Sequence, residues 1–219
     1  RILKNIKKIK YIKTKVIYHG VKKAKINKKK LFSKERNRFL FISEFQKYKN
    51  NEKLFDAIKN NKDNSMKLTC IGRYDKSYLK ELNLKYDFKK LKIKIIENLS
   101  HNKILNIYRN YDAIVFPTAC ESFGLPVLEA ASNKIPILCS NLKVFRELYG
   151  KGCFYFDYKN YRSILQKIYY FSSIEDNEIR KKIKTNYLKA KQLNWEYCGN
   201  NYYHMIKKIL KFYEKKKKN

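Results

Sequence analysis

Residues 117–130, PTACESFGLPVLEA, follow four apolar residues, AIVF, and set two carboxylates, Glu121 and Glu129, around a Ser-Phe-Gly-Leu-Pro turn. The order of parts is that of a buried strand, a loop and a helix. Gly124 lets the chain turn closely, and Pro126 suits the first turn of a helix that starts near Leu125. In an open parallel sheet, ligands bind beyond the C-terminal ends of the strands, where the following helix points its unpaired backbone N–H groups. Glu129 lies about one turn into that helix, roughly 6 Å along its axis. This separation suits a nucleotide, with its diphosphate on the helix tip and its vicinal ribose hydroxyls donating to Glu129. Glu121, in the loop before the tip, would face the group carried by the distal phosphate, where a carboxylate can orient sugar hydroxyls or stabilise positive charge at an anomeric carbon. A plainer reading stands beside this one: Glu121 as a helix-capping acid and Glu129 as a solvated surface residue.

Outward from this stretch, short β-rich runs alternate with helical ones. Strands are expected at 38–42 (RFLFI), 67–71 (KLTCI), 92–96 (KIKII), 113–116 (AIVF), 136–139 (PILC) and 153–156 (CFYF). Helices are expected at 51–60, 77–82, 102–109, 125–132, 143–148, 161–171, 176–191 and 196–214. The pattern predicts an α/β fold, a doubly wound parallel Rossmann-like sheet with a helical C-terminal tail. Residues 1–37 do not fit the alternation: VIYHG, ending at Gly20, reads as one strand and a turn, and 21–37 as a charged linker. The final EKKKKN reads as a frayed end.

Composition narrows the function classes. At 219 residues with 44% hydrophobic content, the chain can bury a good core. Its formal charge of +33 points to phosphate-rich partners, yet Lys, Asn, Ile and Tyr are enriched together, as AT-rich coding sequence produces, and the lysines are spread throughout. The five cysteines are odd in number and scattered, which argues against a disulfide framework or a Cys-x-x-Cys metal site and for a reducing, cytoplasmic setting. No apolar run is long enough to cross a bilayer, and a chain starting at Arg1 reads as a fragment of something longer.

ESFGLPVLEA resembles the signature of the retaining glycosyltransferases of family 4, which have the GT-B fold and two glutamates separated by seven residues. The likeness runs continuously from IYRNYDAIVF through the motif to GKGCFYFD, and again in LNWEYCGNNYYHMIKKIL. It implies that Glu129 binds the ribose, that Glu121 contacts the transferred sugar, and that Ser122, Phe123, Gly124 and Leu125 line the diphosphate and sugar with their backbone. It further implies that Leu99, in IIENLSHNKI, contacts the nucleobase through its backbone.

The family also places Gly-Arg, then Lys-Gly or Lys-Asn a few residues later, after the first strand of this domain. In FISEFQKYKN, Lys49 and Asn50 match the second pair, so Lys49 would compensate the charge of the leaving diphosphate, with Glu121 the other catalytic candidate. Ser43 and Glu44 stand where Gly-Arg belongs, leaving either Lys47 to substitute or the leaving group less stabilised. Arg73, in GRYDK, follows the second strand and reads as a loop residue, and His101 reads as a helix-start residue.

The organisation implied is a remnant of an N-terminal domain and linker at 1–37, a nucleotide-sugar-binding domain at 38–195, and a C-terminal helix and basic tail at 196–219. The function implied is transfer of a sugar from a nucleotide-sugar to a saccharide or lipid-linked acceptor with retention, this chain being the donor-binding half. No cofactor or metal is expected. A cytoplasmic enzyme with this charge could lie peripherally on an anionic membrane. The alternatives are a catalytically incomplete nucleotide-binding remnant, or a charge-driven nucleic-acid-binding protein. For the latter, no recognition helix, stacking platform or zinc motif is present, so no specific nucleic acid is expected as partner.

Overall fold

The computed structural model describes residues 15–22, 35–62 and 64–217. Most of the expected charged linker, and residues 1–14 of the expected N-terminal remnant, therefore lie outside the described residues. Six parallel strands form one sheet: β1 (Arg38–Ile42), β2 (Lys67–Gly72), β3 (Ile93–Glu97), β4 (Ala113–Phe116), β5 (Ile137–Ser140) and β6 (Phe154–Phe156). Their spatial order is β3-β2-β1-β4-β5-β6. β4 and β5 are buried along their whole length, which is why their sequences run apolar without alternation. β3, at one edge, alternates between Ile93, buried, and Lys94, exposed.

Eight α-helices accompany the sheet among the described residues: α1 (Asn51–Lys59), α2 (Lys76–Tyr86), α3 (His101–Ile107), α4 (Leu125–Ser132), α5 (Lys143–Tyr149), α6 (Tyr161–Ser173), α7 (Asp176–Gln192) and α8 (Trp195–Lys217). α1 buries Leu54, Phe55, Ala57 and Ile58, one stripe at helical spacing, and packs beside α6. α4 packs on α7 and buries Val127, Leu128, Ala130 and Ala131. Full burial of side chains such as Leu128 and Val127 stabilises the fold by about 1.5–3 kcal/mol each. α2 starts at Asp75, whose carboxylate accepts from the backbone N–H of Ser77 at 2.9 Å and of Tyr78 at 3.0 Å.

The expected strands and helices are found with small shifts of boundary. The expected helix 77–82 continues to Tyr86, because Leu82 and Tyr86 both reach the core. The expected helix 102–109 breaks at Ile107 into a 3-10 turn, Tyr108–Asn110, which drives the fully buried Tyr108 ring inwards. The C-terminal residues expected to fray are helical through Lys217.

One expectation fails. VIYHG is not a strand: residues 15–20 have no regular structure, and only Val21 forms a bridge, to Asn194. The backbone at Gly20 passes so close to Trp195 that a Cβ there would sit 2.3 Å from the Trp195 nitrogen. Tyr18 and His19 meanwhile turn sideways onto the Phe123 ring, with centroids 6.1 and 5.3 Å away. Aromatic packing across the start of α8 takes the place of strand pairing. Further along, α8 leaves Tyr202, Ile206 and Ile209 exposed on one side. No described helix is long and apolar enough to cross a membrane.

At the start of β1, the fully buried Asp112 carboxylate accepts from the Arg38 backbone N–H at 3.0 Å and from its guanidinium at 3.1 and 3.3 Å. The Arg38 guanidinium is accordingly held above its ordinary pKa by the Asp112 hydrogen bonds. Asp112→Ala strands the Arg38 backbone donor at the β1–β4 junction. It is expected to destabilise the protein by about 2–3 kcal/mol in urea unfolding, and a loss within 0.5 kcal/mol or so would show the pair to be dispensable.

Candidate functional site

The order of the strands reverses between β1 and β4, so the loops leaving their C-terminal ends diverge and open a crevice. The first loop, residues 43–50, contains a 3-10 turn, Lys47–Lys49, and ends at Asn50 in the left-handed conformation with φ 59°. The second, residues 117–124, ends at Gly124 with φ 82°. A Cβ at Gly124 would also come within 2.6 Å of the Phe145 ring, so both conformation and space demand glycine.

Direct bonds tie the two loops together. Ala119 N–H donates to the Tyr48 carbonyl at 2.8 Å. The Asn50 amide spans the gap, donating to the carbonyls of Pro117 at 3.2 Å and Tyr158 at 2.5 Å. Thr118, fully buried, braces the second loop by donating to the Cys120 carbonyl at 2.8 Å.

This lacing brings Lys49 and Glu121, 72 residues apart, into an ion pair. Their side chains are only 14% and 11% exposed. The Lys49 ammonium also lies 4.8 Å from the centroid of the Tyr48 ring and 5.7 Å from that of Phe116. Lys47 is exposed at the start of the same turn, Glu44 accepts from the Gln46 amide at 3.2 Å, and Arg73 is exposed beyond β2, as expected of a loop residue.

α4 has no side-chain cap at Gly124. The backbone N–H groups of Ser122, Phe123, Gly124 and Leu125 find no acceptor among the described residues. They form an anion-attracting tip beside Lys49 and Glu121. Ser122 and Leu125 are exposed there, while Phe123 is buried under Tyr18 and His19 and fixes the loop.

Glu129 is 9% exposed, which overturns the surface reading of this residue. Both carboxylate oxygens are held. Tyr108 OH donates to Oε2 at 2.8 Å, and His101 Nε2 lies 2.8 Å from Oε1. Burial, helped by the adjacent Glu129 charge, raises the Tyr108 hydroxyl well above the ordinary tyrosine pKa, so it serves as a donor throughout the physiological range. His101 is the first residue of α3, as expected, but its ring also reaches the acid at the site, with its side chain 63% exposed. Leu99 lies two residues before it, half-buried against the core in the loop after β3.

The structure thus pairs Lys49 with Glu121 just before the tip residues 122–125, sets Glu129 one turn into α4 with His101 against it, and leaves Leu99 two residues before His101, with no direct contact shown between Leu99 and the other site residues. Tyr108 and His101 are the residues that sequence reasoning missed in this role. The only available signal for Tyr108 was its apolar helical spacing, which reads as core. Gly124→Ala imposes left-handed strain and a collision with Phe145. It is expected to lower stability by more than about 1 kcal/mol, read as a drop in thermal midpoint, whereas Gly199→Ala on α8, with open space around it, is not.

Residues 22–190 match the family described as Glycosyl transferases group 1. The O-antigen chain mannosyltransferase RfbU of Salmonella typhimurium is 29% identical over 163 residues, which cover 71% of this chain and 44% of that protein. The serotype-specific mannosyltransferase WbdA of Escherichia coli is 33% identical over 61 residues, 28% of this chain and 8% of WbdA. The chain therefore spans less than half the length of these relatives. Among solved structures, sucrose-phosphate synthase from Thermosynechococcus elongatus superposes with a TM-score of 0.72 at 16% identity, covering 82% of this chain and 47% of that one. The pneumococcal O-GlcNAc transferase GtfA, in complex with UDP and GlcNAc, superposes with a TM-score of 0.69 at 13% identity, over 89% of this chain and 38% of its own. These likenesses show the fold, a Rossmann-like half of the GT-B type. With the family matched across most of its length, the chain belongs to the group 1 glycosyltransferases.

Proposed function

We propose that this chain is the donor-binding half of a retaining glycosyltransferase of family 4, and that it transfers mannose from a nucleotide-sugar to a saccharide or lipid-linked acceptor in surface-glycan synthesis. The observation that carries this reading is the ion pair of Lys49 with Glu121 directly before the bare tip of α4, where the strand order reverses, with Glu129 one turn into that helix. Each group has a task on such a donor. The tip N–H groups and Lys49 take the diphosphate, Glu129 accepts from the ribose hydroxyls, and the Leu99 backbone meets the base. Glu121 faces the sugar, where a carboxylate orients hydroxyls as positive charge grows at the anomeric carbon. As the bond to the diphosphate breaks, negative charge accumulates on the leaving oxygen, and Lys49 with the helix tip compensates it without a metal. The choice of mannose rests on RfbU and WbdA, both named as mannosyltransferases.

The test is calorimetric titration of the chain with UDP, GDP, ADP and their sugar conjugates, including a mannose nucleotide. One nucleotide is expected to bind, in EDTA as well as without it. Glu129→Ala is expected to weaken that binding about 10- to 100-fold, the loss of charge-assisted hydrogen bonds. Equal binding by wild type and Glu129→Ala would remove the ribose assignment. Retention of affinity for duplex DNA alone would remove the whole reading.

A catalytically incomplete remnant is the second reading, and Ser43–Glu44 favours it. Glu44 sets a carboxylate where the resemblance calls for a guanidinium, and the nearby Lys47 side chain is exposed to solvent. Glu44→Arg is accordingly expected to tighten binding of the nucleoside diphosphate several-fold, because a cation replaces an anion beside the phosphate subsite. Unchanged affinity would place residue 44 outside that subsite.

A further inference from the structure

The ion pair between Lys49 and Glu121 joins the two groups that the donor-site reading assigns to different parts of the ligand. Neither side chain is free to hydrate fully, since they are only 14% and 11% exposed, and the laced loops hold them in register. Whatever binds at the tip of α4 must therefore be considered together with the pair that it disturbs. A phosphate that recruits Lys49 withdraws the partner of a nearly buried carboxylate, and an unpaired buried carboxylate is costly.

Two ligands differ in what they return to Glu121. An intact nucleotide-sugar brings sugar hydroxyls, which donate to the carboxylate and replace the lost ammonium. A spent nucleoside diphosphate brings none. We propose that Glu121, through its pairing with Lys49, discriminates between the intact donor and the spent nucleotide: the pair opens readily for the nucleotide-sugar and re-forms once the sugar has left, expelling the diphosphate. This rests on the donor-site reading and adds to it a specificity role for Glu121, apart from any part in the chemical step.

The experiment compares the affinities of wild type, Glu121→Gln, Lys49→Ala and the double variant for two probes. These are the nucleoside diphosphate selected by the titration above and its mannose conjugate. Gln is close to Glu in size and cannot form the ion pair, and a thermal midpoint near that of wild type establishes that it folds. The diphosphate is expected to bind Glu121→Gln about five- to tenfold more tightly than wild type. The conjugate is expected to gain nothing, so the preference for it over the diphosphate collapses. In the Lys49→Ala background the gain from Glu121→Gln is expected to vanish, because there is no ammonium left to release.

An unchanged or weaker affinity of Glu121→Gln for the diphosphate overturns the proposal, and so does a gain that persists without Lys49, which would mark simple repulsion. The donor-site reading fails separately: it falls if Glu129→Ala and Lys49→Ala leave nucleotide binding intact. If neither wild type nor Glu121→Gln binds any nucleotide, both fall together.

Discussion

The site depends on the lacing of two loops at the point where the sheet reverses its order. Parallel strands end with their chains heading the same way, and adjacent loops that depart towards opposite faces have no ladder to hold them. Here a backbone bond from Ala119 to the Tyr48 carbonyl, a longer one from the Thr118 hydroxyl to the same carbonyl at 3.4 Å, and the Asn50 amide supply the missing hold. Asn50 serves because its amide carries two donors, and because asparagine tolerates the left-handed backbone that ends the 3-10 turn and begins α1. The spacing of Lys49 and Glu121 follows from these contacts. Lys49 stands one residue before the bridge, and Glu121 two residues after the anchored Ala119.

The same economy governs the second acid. α4 is short and buried on most of its surface, so Glu129 enters the interior with the apolar residues beside it. A carboxylate in that position is tolerated because Tyr108 and His101 each satisfy one oxygen. Tyr108 comes from the 3-10 turn that interrupts the preceding helix, and the interruption is what aims its hydroxyl. The Glu129 carboxylate is thus pre-oriented by Tyr108 and His101.

Much of this was legible in the sequence, and what was not has a physical reason. The alternation of apolar strands with helical stripes fixes the layers, since periods of two and 3.6 report which side of an element is buried. Gly124 and Pro126 announced the helix tip because both suit the local backbone, a left-handed residue before α4 and a proline in its first turn. Sequence patterns do not report which distant polar group will satisfy a buried one. Tyr108 and His101 precede Glu129 by 21 and 28 residues, on elements whose relative placement only the packed sheet decides. VIYHG misled for a related reason. β-branched and aromatic residues signal burial against a flat surface, and here that surface is the Phe123 ring and the start of α8 rather than a neighbouring strand.

At its start the first loop of the crevice is held by main chain. Ser43 N–H donates to the Ile71 carbonyl at 3.0 Å, and Phe45 N–H to that of Arg73 at 3.1 Å. Gly72 leaves room for the crossing, for a Cβ there would fall 1.9 Å from the Ser43 oxygen. The burden of folding is carried by main chain and by a glycine on the neighbouring strand, so mutation at positions 43 and 44 is buffered against loss of structure. Such a scaffold can drift in chemistry while keeping its shape. The charge at the mouth of the crevice can therefore change at two positions while the main chain there keeps its course.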